Sequence, residues 1–232
     1  MLRDVALATA AAQAASGRVH GTVRIGFSGA FNHLTLPALA RSIRRDLPDI
    51  DLELISRIST GEGITKLRNG TLDIAFVGLP IGGAPAVTSR LISRMEMGAV
   101  VPEDHPLADE TSISVSRLAD DDFLCMPMDG SSAMADALMR CCAAGGFRPR
   151  VVQEITDPYM LLTFVAAGMG VSIAAKDLNT ILPRGARWIQ LEDDPVYMDH
   201  GIAWMAEDHS AAVAAVLELS QTILPTPAEN AQ

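Results

Sequence analysis

Two periodicities alternate along the first third of this chain. Residues 22–27 (TVRIGF) and 51–58 (DLELISRI) alternate apolar and polar positions, the period-two signature of a half-buried strand. Residues 73–77 (DIAFV) form a short, mostly apolar run, as a strand covered on both faces would. Between them, Leu36, Leu39, Ile43 and Leu47 recur at helical spacing. Pro37 suits the first turn of that helix, where its missing N–H costs nothing, and Pro48-Asp49 stops it. Ser59-Thr60 reads as the N-cap of a second helix reaching Arg68, closed by Asn69-Gly70. The result is a βαβαβ unit, which predicts parallel strands with right-handed helical crossovers.

A second series follows. Residues 88–93 and 97–101 read as consecutive strands, and 123–126 opens a new alternation. A helix over 131–144 ends at Gly145-Gly146, followed by a strand at 150–155 and a helix at 158–167 stopped by Gly168. Strands are predicted at 170–174, 188–191 and 201–205, and a last helix at 210–224. No internal repeat is present. The last strand and helix are too small to stand alone and must rejoin an earlier sheet. The fold class is therefore α/β, with two Rossmann-like lobes joined by two crossover strands near 94–97 and 191–197. Such a hinge places a ligand between the lobes, at the carboxyl ends of the strands.

Length and composition agree. The 232 residues exceed the usual single core, and 49% hydrophobic with 20% charged residues is ordinary for a folded globular protein. The longest apolar runs fall far short of the ~20 residues that span a bilayer, so no membrane association is expected. The amino-terminal stretch is Ala-rich, but Asp4 and Gln13 interrupt it, and residues 2–15 read as a helix ended by Ser16-Gly17 instead of a secretory signal. Of the 3 cysteines, Cys141 and Cys142 are adjacent, and none has zinc spacing, so buried free thiols in the cytoplasm are expected. A net charge of −10 argues against a nucleic-acid surface, which needs Lys and Arg to displace counterions. The one tight basic cluster, Arg41, Arg44 and Arg45, reads as a solvated helix face.

Catalytic patterns fail in turn. The sequence GFSGA at 26–30 is a near miss to a nucleophile elbow, with alanine in place of the last glycine. Gly168-Met169-Gly170 precedes a strand instead of opening a helix, so it is no dinucleotide fingerprint. Asp120, Asp121 and Asp122 are consecutive and share no face, and the 5 histidines lie mostly in predicted loops without an acidic orienter. No enzyme activity, catalytic residue, cofactor or metal is expected. What remains is a set of strand-to-helix turns at 28–31, 59–61, 127–132 and 156–158, all directed at one cleft. Helix N-termini there offer free N–H groups and a positive dipole end to a carboxylate.

Several segments, in order, resemble the effector domain of LysR-type transcription regulators. They are GTVRIGF at 21–27, LPAL at 36–39, LP at 47–48 and DLEL at 51–54. LRNGTLDIA at 67–75 is similar to that family's L-x-x-G-x-L-D-x-A signature, HPL at 105–107 to its loop, GGFRP at 145–149 to its AGF-x-P turn, and VAAGMGV at 165–171 to its VAAGxGV segment. The resemblance implies a type II periplasmic-binding-protein-like fold and a cytoplasmic regulator. Its parts would be the end of a linker helix at 1–18, lobe I at 19–95 and 196–225, lobe II at 96–195 and a disordered tail at 226–232. It further implies that DNA is bound only through an amino-terminal winged helix-turn-helix domain absent from this chain. A homodimer or homotetramer is expected, with the helix 37–47 of one subunit beside the helix 131–144 of another. A periplasmic solute-binding protein and a dehydratase-like enzyme are the alternatives on this fold.

The effector site carries over by position. The first turn gives Ser28, Gly29, Ala30 and Phe31, with Ala30 where many members have serine and Ser28 able to compensate. Thr60 caps the second helix beside Gly61, and Gly78 stands where some members carry an arginine. The second lobe's carried-over positions are Pro127, Ser132, Met134 and Asp157, and Met126 and Met128 cluster with Met134 around one predicted switch point. These departures count against a dicarboxylate. They predict a small effector, largely apolar or aromatic, with a single acidic or polar end.

Overall fold

A computed structural model describes residues 19–207 and 209–227. The predicted linker helix at 1–18 and tail residues 228–232 lie outside the described residues.

The amino-terminal βαβαβ unit forms as its pattern predicts: β1 (Gly21–Gly26), α1 (Leu36–Asp46), β2 (Ile50–Ile55), α2 (Thr60–Arg68) and β3 (Ile74–Leu79). β1 pairs in parallel with β2 and with β3. α1 buries Leu36, Leu39 and Ile43 against the sheet and turns Arg41, Arg44 and Arg45 outward. The second strand is shorter than its alternation suggests. It ends at Ile55 because Arg57 adopts a left-handed backbone, φ 63°, which turns the chain so that the Ile58 N–H donates to Phe27 O. Positive φ in a non-glycine residue outside the asparagine and aspartate class is strained and rare.

The two strands expected at 88–93 and 97–101 are one, β4 (Val87–Pro102), running unbroken for 16 residues. The polar residues that suggested a break are satisfied by neighbours. Arg94 pairs with Asp199 at 2.8 Å, and Glu96 accepts from Lys176 and Gln190. Then follow β5 (Ser112–Ile113), β6 (Asp122–Cys125), α3 (Ala133–Ala144), β7 (Arg150–Glu154), α4 (Pro158–Ala166), β8 (Ser172–Ala175), β9 (Ala186–Leu191), β10 (Tyr197–Met205) and α5 (Ala211–Ile223). Gly168, at φ 75°, supplies the left-handed residue that ends α4's last turn.

The sheet order explains the two lobes. β10 inserts antiparallel between β3 and the first half of β4, giving β2-β1-β3-β10-β4. The second half of β4 leaves that sheet and pairs with β8 and β9. β6 and β7 pair with each other and join β8 through a bridge between Phe123 and Val171. The burial of β4 follows this path: its first half is partly exposed, its last six residues fully buried. The apolar core divides likewise. One cluster (Val100, Phe123, Leu138, Leu161 and Ile173 among others) fills the second lobe. Two smaller ones cover the faces of the first sheet, one with α1 and α5, the other with α2. Cys125, Cys141 and Cys142 are buried free thiols, pushed up by burial to about 11, 11 and 12, and so are inert nucleophiles.

A candidate ligand cleft between the lobes

A cleft of about 570 Å³ lies where the strands of both lobes end, within the usual range for small-molecule sites. The four predicted turns converge on it. The first lobe brings Ser28 and Phe31 after β1, Ser59 and Thr60 before α2, and Gly78 at the end of β3. The second brings Met126 and Pro127 after β6, Ser132 and Met134 at the start of α3, and Asp157 before α4.

Three helices therefore aim their N-termini at the cleft, each capped by a side chain. Ser59 Oγ accepts from the Glu62 N–H at 3.3 Å, Ser132 Oγ from Ala135 at 3.2 Å, and Asp157 Oδ1 from Met160 at 2.9 Å. Asp129, also in the lining, is held below the usual carboxylate range by hydrogen bonds from Ser131, first from its side chain and then from its N–H. The caps satisfy one donor each; the positive dipole ends remain.

Some expectations change. Thr60 is not the cap of α2; Ser59 is, and Thr60 occupies the first helical position. Its hydroxyl instead accepts from the Gly78 N–H at 2.8 Å, fastening the start of α2 to the end of β3. Thr60→Ala should lower stability by about 1 kcal/mol by orphaning that N–H, while Thr60→Ser keeps the acceptor. Urea unfolding of the two variants checks this. Gly29, Ala30, Gly61 and Met128 do not reach the cleft. Gly29 makes the turn at φ 95°, Ala30 packs on the second lobe's core, Gly61 has open space around its α-carbon, and Met128 faces solvent.

Gly78 has a structural reason beyond the missing arginine. A β-carbon there would sit 2.5 Å from the Ala133 Cβ at the start of α3, so the lobes touch at this point.

The structure also adds residues. Arg57, exposed and lining the cleft, makes no ion pair among the described residues. It brings a guanidinium from the end of β2 to a site that lacks one after β3. Phe76 and Met198 extend the apolar wall, and His200 on β10 is buried beneath it, with its ring centroid 6.0 Å from that of Phe76. Burial alone pushes the His200 imidazole down to about 4, so it is neutral at ordinary pH. His200 lay just outside the strand expected from 201. The β10 ladder extends that strand back to Tyr197, and only this reveals a core position.

Two α/β lobes joined through the long strand β4 and the return from β9 to β10, around a cleft ringed by helix N-termini, define a small-molecule-binding domain of the type II periplasmic-binding-protein kind. The chain belongs to the LysR family of transcription regulators: residues 16–224 match its LysR substrate binding domain. It is 38% identical over 223 residues to the regulator ShiR of Corynebacterium glutamicum (strain R), covering 96% of this chain and 75% of that protein. It is 23% identical to AlsR of Bacillus subtilis (strain 168), covering 86% of this chain and 66% of that one. Among solved structures it is similar to the effector-binding domain of QuiR in complex with shikimate, at TM-score 0.78 and 20% identity over 89% of this chain and 98% of that one. The BenM effector-binding domain with benzoate aligns at TM-score 0.73 and 22% identity, covering 90% and 96%. The family and these relatives are transcription regulators, not enzymes, so the dehydratase and solute-binding alternatives fall away. LysR regulators are oligomeric. Among the described residues, no helix is long and apolar enough to cross a membrane.

Proposed function

We propose that this domain closes its lobes, 19–95 with 196–225 and 96–195, on a compact organic monocarboxylate, and so controls promoter binding by the DNA-binding part of a cytoplasmic regulator. The carrying observation is the convergence of three helix N-termini and Arg57, unpaired among the described residues, on one cleft with apolar walls. Ser28, Phe31, Thr60, Gly78, Met126, Pro127, Ser132, Met134 and Asp157 would contact the ligand. Arg57 offers a bidentate partner to one carboxylate, and Phe31, Phe76, Met126 and Met134 enclose the ring or chain attached to it. Benzoate and shikimate, bound by two structural neighbours, are carboxylates of this compactness. The domain would act as a homodimer in which α1 of one copy lies beside α3 of the other, a contact made twice across a twofold axis.

Calorimetric titration with benzoate and with neutral, isosteric benzamide tests the charge reading. Benzoate should bind at least tenfold more tightly, and Arg57→Gln should erase most of that preference. Equal binding of acid and amide would overturn an anionic effector.

A further inference from the structure

The floor of the cleft holds polar groups that the rest of the site does not use. Asn32, in the turn after β1, is 1% exposed, and His200, on the central strand β10, is 4% exposed. The Ser28 N–H donates to Asn32 Oδ1 at 3.1 Å, and this fixes which way the Asn32 amide faces. Its Nδ2 group is thereby turned toward His200 Nε2, 3.5 Å away. An N–H directed at Nε2 requires a lone pair there. The single proton of the neutral ring is therefore on Nδ1. Among the described residues Nδ1 has no hydrogen-bond partner, and neither does Ser28 Oγ, although both residues line the cleft. Buried polar atoms are rarely left unpaired, because each loses its hydration without compensation. Two orphans beneath one ligand cleft, in a chain whose third member fixes the tautomer, form a donor and a rotatable donor/acceptor kept for something that enters.

We propose that Ser28, Asn32 and His200 form a recognition element for a hydroxyl group on the ligand, so that the effector is a hydroxylated carboxylic acid and not a plain hydrocarbon acid. This deepens, and rests on, the reading of the cleft as a carboxylate effector site. The oxygen of a ligand hydroxyl accepts from His200 Nδ1–H, and hydroxyl groups also donate, which suits Ser28 Oγ. An aliphatic or halogen substituent does neither and leaves both atoms unpaired. Asn32 is a positioning residue. It touches no ligand, but without it the His200 ring is free to take the other tautomer and aim a bare nitrogen at the ligand. Phe76 packs beside the ring and limits its rotation.

The test uses matched probes on the whole domain: benzoate against 3,4-dihydroxybenzoate, and cyclohexanecarboxylate against its 3,4-dihydroxy derivative. In wild type, at least one hydroxylated acid should bind at least tenfold more tightly than its parent. His200→Phe, near-isosteric beside Phe76, should reduce that ratio to within about twofold while the parent acid still binds. Ser28→Ala, which deletes only an unpaired oxygen, should lower the ratio in a variant that folds regardless. A tautomer measurement stands apart from any ligand: long-range nitrogen–proton correlation spectra of nitrogen-15 histidine should show His200 protonated at Nδ1 and bare at Nε2. Asn32→Ala should remove that preference. If the acids bind but the ratio survives both substitutions, the hydroxyl reading fails and the carboxylate cleft stands. An Nε2–H tautomer in wild type fails it equally. If none of the acids binds at millimolar concentration, the carboxylate reading fails and this one with it.

Discussion

Acidifying the protein from pH 7 to pH 4 should remove up to about 3 kcal/mol of folding stability through His200 alone. An exposed histidine titrates near ~6.5, whereas burial holds the folded His200 down to about 4. Between those values the unfolded chain takes up a proton that the folded chain refuses. Stability is therefore fully present above pH ~6.5 and is lost as pH falls, at up to ~1.4 kcal/mol per pH unit, until His200 protonates in the folded state as well. Urea midpoints measured from pH 7.5 to 4.5 should fall in wild type and stay much flatter in His200→Phe. Parallel profiles for the two proteins would show that His200 is not the group responsible. The same profile has a functional edge, because a charged His200 would gain a proton at Nε2 and confront the Asn32 amide.

The second large effect is expected at Gly78. With Ala133 so close, a valine there cannot be accommodated unless the two lobes part by an ångström or more. The neighbours at that point belong to different lobes and not to one core, so the cost falls on closure and not on folding. Gly78→Val should leave the melting temperature nearly unchanged, while affinity for any acid that binds the wild-type cleft falls at least tenfold. Withdrawing the closed state from the ensemble lowers apparent affinity in proportion. Small-angle scattering should show a larger radius of gyration for the variant, unaffected by ligand. Wild-type affinity in Gly78→Val would mean that binding does not need the lobes in contact here.

What the sequence showed and what it hid separate along physical lines. Local signals were legible. Ser59-Thr60 read as a cap before a helical run, and the turns at 127–132 and 156–158 followed from the strand and helix patterns on either side, whereas their caps, Ser132 and Asp157, emerge only in the structure. The period-two runs of β1 and β2 and the buried run of β3 were equally plain. The continuity of β4 was not, because Arg94 and Glu96 look like a break until their partners on β10 and around β9 are known. Thr60 was placed at the right turn but in the wrong role, since its partner Gly78 lies on β3, outside the helix it begins. Arg57 escaped because nothing in a sequence marks an arginine for left-handed backbone. Asn32 and His200 meet only after the whole second lobe has been built and the chain has returned, so no local window contains both.

That return has a consequence for how the molecule is made. β10 lies in the middle of the first sheet, between β3 and β4, yet among the described residues it is the strand that comes last along the chain. Until it arrives, β3 and the first half of β4 expose open edges of backbone N–H and C=O groups, while the segment from β5 to β9 can already collapse on its own core. During synthesis the residues of the second lobe are thus all present before the first sheet can be completed. A chain stalled or cut before residue 197 would carry a finished lobe attached to an unfinished, adhesive one.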